Sequence, residues 1–155
     1  MDWAAPVSAL IGGGIAVVSG WTVERGRWKR EERRHERDRR TTLYADYLAA
    51  VLSAREQMWH ASRWHELPRD ERIAMARDAL RDFQVYPVRH RISLVAPTDV
   101  DESAYQIIKR LTDYRDAVVE GATDGDAEFE RVLHAFNDAR QKLRDRMRAD
   151  LDALR

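Results

Sequence analysis

Apolar positions along this chain fall into one continuous block and then into stripes of helical period. From Trp3 to Val23 ("WAAPVSALIGGGIAVVSGWTV") no residue is charged. From Leu43 onward, apolar residues recur at steps of three and four, which gathers them on one face of an α-helix. Leu43, Tyr44, Tyr47, Leu48, Val51, Leu52, Met58 and Trp59 make the first stripe. It predicts a helix that starts in the charged run before it and ends near Leu67-Pro68. Pro68 suits the first turn of the next helix, where a missing N–H does no harm. That helix carries Ile73, Ala76, Leu80 and Phe83. Pro87 must kink or split the helix around it. A short broken helix with Ile92, Leu94 and Val95 is expected there rather than a strand, because no second strand exists to pair with it. "PTDVDE" reads as a helix start, with Thr98/Asp101 or Asp99/Glu102 as a capping-box-like pair. Val100, Ala104, Ile107, Ile108, Leu111, Tyr114 and Val118 are its buried stripe. "EGATDGD" is a turn. The last helix carries Phe129, Val132, Leu133, Phe136, Leu143, Met147, Leu151 and Leu154. The stripes of Leu43–Trp59 and Phe129–Leu154 are long enough to lie side by side.

The first block has a different logic. Its 21 uncharged residues would span roughly 30 Å as a helix, the thickness of a bilayer's hydrocarbon core. Trp3 and Trp21 stand at its two ends as interfacial anchors, where an amphipathic ring is half wet. A cleaved signal peptide would need a positive leading region, and Met1-Asp2 supplies none. A soluble core helix is disfavoured by Gly12, Gly13 and Gly14, each costing about 1 kcal/mol against alanine in water. In lipid the helix is enforced by the cost of unpaired backbone groups. Within the block, Ser8, Gly12, Ala16 and Gly20 repeat every four residues. This small-residue ridge is either a helix-association face or the incidental product of ten Ala, Gly and Ser residues among 21.

Charge orients the picture. The formal net charge is zero over 155 residues, but residues 24–40 carry nine Lys/Arg against five acids. This run begins with Arg25, Arg27, Lys29, Arg30, Arg33 and Arg34, which fit topology-setting and lipid-headgroup contacts. The positive-inside rule places the N-terminus outside and residues 24–155 in the cytoplasm, with the protein in the cell inner membrane. Two other readings of the run are a solvated helix held by pairs such as Arg27–Glu31 and Glu36–Arg40, and nucleic-acid binding. The interleaved acids and the lack of a recognition motif disfavour the last. The fold expected is therefore all-α: an N-terminal transmembrane anchor (1–23), a basic juxtamembrane stalk (24–42), and a cytoplasmic antiparallel bundle of three to four helices (43–155).

Candidate chemistry is sparse. There is no cysteine, which excludes disulfides and thiolate sites. Bundle metal sites need Glu-x-x-His motifs on two helices. Only Glu32/His35 has that spacing, in the stalk. Glu56/His60 and Glu130/His134 are i,i+4 pairs that would make a site only if their helices met; otherwise they are ordinary helix-surface contacts. No phosphate loop or zinc-protease motif is present. Trp59, Trp64 and His65 are either a partner patch or core and rim of the bundle. No catalytic, cofactor or metal residue is expected.

"RRTTLYADYLAAVLSAREQMW", "RISLVAPTDVDESAYQIIKRL" and "FNDARQKLRDRMRADL" together resemble a type of single-pass, helical-bundle membrane protein common in actinobacteria and their phages. The resemblance implies an anchor and an all-helical cytoplasmic part, and carries no activity and no site residues. The function expected is a membrane-tethered interaction or scaffold protein without catalytic activity. Its partners would be membrane lipid, a second copy through the transmembrane helix, and a cytoplasmic protein. The alternative is an oligomeric membrane-perturbing or pore-type protein of phage or defence systems, assembled through the small-residue ridge. A metalloprotein built on the His/Glu pairs is a third reading.

Overall fold

The computed structural model describes the backbone from Ala4 to Arg155, and side chains at Trp28 and from Glu31 onward. The described residues form five helices and no strand: α1 (Ala4–Arg63), α2 (Arg69–Asp82), α3 (Val85–Val95), α4 (Thr98–Glu120) and α5 (Ala127–Ala153). Among the described residues no helix is long and apolar enough to cross a membrane. The side chains of the expected span Trp3–Val23, with its ridge and its two tryptophans, lie outside those described.

α1 is one helix of 60 residues, about 90 Å long. It crosses the stalk–bundle boundary at residues 42–43 without a break. Glu31 to His35 are exposed and Leu43 is buried, so α1 enters the core in the turns between. Tyr47, Val51, Ala54 and Met58 then give up all their exposure, as their three-and-four spacing requires.

Pro68 precedes α2 as expected. At Pro87 the chain is split rather than kinked. Gln84 takes a left-handed conformation, φ 56° and ψ 31°, unusual for a residue with a Cβ. The corner places Pro87 in the first turn of α3, where its absent N–H is not missed. α2 and α3 together make the return path, so α1 and α4 run in the same direction. Tyr47 on α1 meets Ala104 near the start of α4, and Arg63 at the end of α1 meets Asp124 just beyond α4.

Two expectations need correction. α5 does not lie along α1. It packs chiefly against α4 and touches α1 where Arg40 and Tyr44 reach Asp150. The apolar stripe of α1 is taken up by α2, α3 and α4, with the small Ala76 and Ala79 of α2 buried in the same core. The α4–α5 seam is filled by Tyr114 and Phe129, rings 5.2 Å apart. With α2 and α3 as one return path, successive segments run antiparallel, and α1 and α4, the first and third, lie parallel and in contact.

The capping boxes at Thr98/Asp101 and Asp99/Glu102 also do not form. α4 starts at Thr98, so Thr98 and Asp99 already lie inside the helix and its N-cap is Pro97, which makes no side-chain cap. Asp101 is instead bound by Arg89 of α3. Arg89 Nη1 lies 2.6 Å from Asp101 Oδ1, and Nη2 donates to the Asp101 carbonyl at 3.2 Å. Asp99 faces Arg146 of α5 at 3.6 Å. The turn after α4 is as expected. Gly121 ends the helix at φ 112°, a conformation glycine takes without steric cost.

Candidate interaction surface

Three features stand out on this bundle. The first is the root of α1. Arg40 Nε donates to Glu36 Oε1 at 2.8 Å, and Arg40 Nη1 donates to Asp150 Oδ1 at 2.8 Å. The Tyr44 hydroxyl donates to Asp150 Oδ2 at 2.6 Å. Asp150, on the last turns of α5, is thus gripped through both oxygens by two residues one turn apart on α1. Burial works against the Arg40 charge, but the hydrogen bonds to Glu36 and Asp150 outweigh it and hold the guanidinium above its usual range. Burial pushes the Tyr44 phenol up, and the bond to the Asp150 carboxylate adds to this. Glu36–Arg40 is the i,i+4 pair read from sequence. Asp150 was not anticipated, because nothing local to "RADLDALR" marks it.

This clamp ties the root of α1 to the last turns of α5. Replacing Asp150 with alanine leaves a half-buried guanidinium and a buried hydroxyl without their acceptor. The expected loss is about 2 kcal/mol, in the range for hydrogen bonds to charged groups. Urea unfolding of the full chain in a mild detergent, followed by far-UV circular dichroism, measures it. A D150A chain as stable as the parent would mean that the clamp contributes nothing.

The second feature is the far end of α1. Trp59 packs on the core edge, and the Arg63 guanidinium lies over its ring, 4.7 Å from the centroid. His60 stands between the two indoles, with centroids 5.2 Å from Trp59 and 4.9 Å from Trp64. Trp64 is 48% exposed. The tip therefore combines rim packing and an open aromatic face. His65 does not join these rings; it lies with Arg69, Arg72 and Thr123 in the crevice between the α1–α2 and α4–α5 turns.

The third is a groove between α1 and α3, at the end where α1 emerges. Asp38, Arg39, Thr42, Leu43, Arg91, Leu94 and Val95 line it. Leu94 is 84% exposed, although it belongs to the apolar run that the sequence places in a helix. Ile92 and Val95 take the inward positions of α3, and Leu94 is turned outward by the 100° step per residue.

Among the described residues no group of three His, Asp or Glu side chains could hold a metal ion. His60 lies 4.0 Å from Glu56, and His134 lies 3.8 Å from Glu130. Each pair stays within its own helix. His134 Nδ1 also sits 2.7 Å from the Glu130 carbonyl oxygen. Arg33 and Arg34 are exposed on α1 outside the bundle. Trp3, Ser8, Gly12, Ala16, Gly20, Trp21, Arg25, Arg27, Lys29 and Arg30 lie outside the described side chains. The chain matches no family model, no curated protein and no solved structure.

Proposed function

We propose that this protein is a membrane-tethered helical scaffold: residues 3–23 anchor it, the charged part of α1 is a rigid spacer, and the bundle presents a protein-binding surface. The observation that carries the proposal is the continuity of α1 from Ala4 to Arg63. An uncharged segment as long as a bilayer core is thick and a core helix of the bundle belong to one rod. Anchor and bundle are joined without a hinge loop, as suits a device that holds a surface at a set height. The exposed Trp64 at the far tip of the bundle and the exposed Leu94 at the root of α1 are two separate apolar positions open to a partner.

The test is fractionation of the full chain. It is expected in the membrane fraction after an alkaline carbonate wash, and released only by detergent. An I11D/I15D double variant should move to the aqueous fraction, because a carboxylate at the bilayer centre costs several kcal/mol. Parent protein washed free by carbonate would end the proposal. Orientation is read separately. The chain has no cysteine, so single cysteines placed at Asp2 and at Arg155 can be labelled with an impermeant maleimide. Labelling from the outside is expected at Asp2 alone.

A further inference from the structure

Trp28 has no role in the bundle. It is 72% exposed and stands twelve residues before Arg40, about 18 Å along α1 from the clamp. The side chains lining the space beside it are Glu31, Glu32, His35, Glu36 and Arg39, all from α1 itself. A single exposed ring needs no cover in itself, but three facts point to what meets this one.

The first is register. Trp21 and Trp28 are seven residues apart, which puts them on one face of a helix within about 20°. The second is direction. The Cα–Cβ bond of a helical residue tilts toward the helix N-terminus, and a long side chain covers the turn before its own Cα. On α1 that is the side of the uncharged segment. Trp28 follows Val23 by five residues, about 7.5 Å of rise, and the backward lean brings the indole into a headgroup layer roughly 5–7 Å thick. The third is the charge beyond it. Glu31 and Glu32 occupy the Trp28 side one turn farther from the uncharged segment. Laying α1 flat on an anionic surface would press these carboxylates into it, so the arrangement favours an upright rod touching lipid with the ring alone.

We propose that Trp28 sits in the lipid headgroup layer and sets the depth of α1, holding the clamp and the bundle about 18 Å above it. The inference rests on the tether reading, and names the lipid contact that fixes its height.

The test uses the full chain in vesicles of phosphatidylcholine and phosphatidylglycerol. In a W3F/W21F/W59F/W64F variant the fluorescence comes from Trp28 alone; parallel variants keep only Trp21 or only Trp64. Trp28 is expected to be quenched by lipids brominated near the top of the acyl chain. It should also be several-fold less accessible to iodide than Trp64. If Trp21 is lipid-quenched while Trp28 is as open to iodide as Trp64, the inference fails and the tether stands. If Trp28 is shielded from iodide yet untouched by brominated lipid, a second copy or another protein covers it, and the inference again fails. If Trp21 itself sees no lipid, the tether reading falls and this inference with it. Should the fourfold variant fail to fold, the difference between the parent and W28F gives the same reading.

Discussion

Truncating Tyr47 to alanine is expected to cost about 3–5 kcal/mol, the range for removing a large buried aromatic. Tyr47 has no exposed surface and sits where α1, α3 and α4 converge. Its hydroxyl donates to the Ala104 carbonyl of α4 at 2.7 Å, and the charges of Arg89 and Asp101 lie close enough to act on it. The loss is large against a total stability of about 5–15 kcal/mol, and the parallel α1–α4 contact goes with it. Tyr47→Phe keeps the ring and removes one hydrogen bond, for about 1 kcal/mol. Urea unfolding of both variants in detergent separates packing from hydrogen bonding. If the alanine variant were no worse than the phenylalanine one, the ring would not be a core element at all.

Alkaline unfolding is the second large effect. Tyr44, Tyr47 and Tyr114 are 3%, 0% and 0% exposed. Burial is the first cause that pushes each phenol above its usual range, with the Asp150 carboxylate adding to it at Tyr44. A phenol that stays protonated in the fold but ionises in the unfolded chain makes the unfolded state bind fewer protons. Stability then falls as pH rises. The contribution is intact below the ordinary tyrosine value near 10 and is lost progressively above it. Each phenol forfeits about 1.4 kcal/mol per pH unit there, so three together cost roughly 4 kcal/mol near pH 11. Tyrosinate absorbance from these three is expected to appear together with the loss of ellipticity. Full ionisation of all five tyrosines in a chain that keeps its ellipticity would show that these phenols are not enclosed.

The helices themselves could be read from the chain because their causes are local. A three-and-four stripe such as Val100 to Val118 can bury one face only by coiling. Pro68, Pro87 and Pro97 each end a helix or open the next, since none donates an N–H. The Glu36–Arg40 pair is one turn long, so its two residues meet in any helix that holds them. Local reasoning reached too far at Thr98. Two capping boxes fit the letters, and a small shift in the helix start disposes of both.

The surface features lay out of reach for a different reason. Arg40 and Asp150 are 110 residues apart, and neither carries a mark that names the other. Leu94 resembles its neighbours Ile92 and Val95 in composition, yet it is left open because the packing of α3 turns Ile92 and Val95 toward the core and Leu94 away from it. Trp28 reads as one more residue in a charged run until the bundle is seen to begin well beyond it.

Period, proline placement and charge spacing settle where this chain coils, because these act within a few residues and cost the same in any surroundings. Which stripes touch is a competition among distant faces. α5 goes to α4 rather than along α1 because residues of α2, α3 and α4 already cover the apolar face of α1. The clamp at Asp150 and the height at which α1 emerges are consequences of that packing, and no stretch of the chain contains them alone.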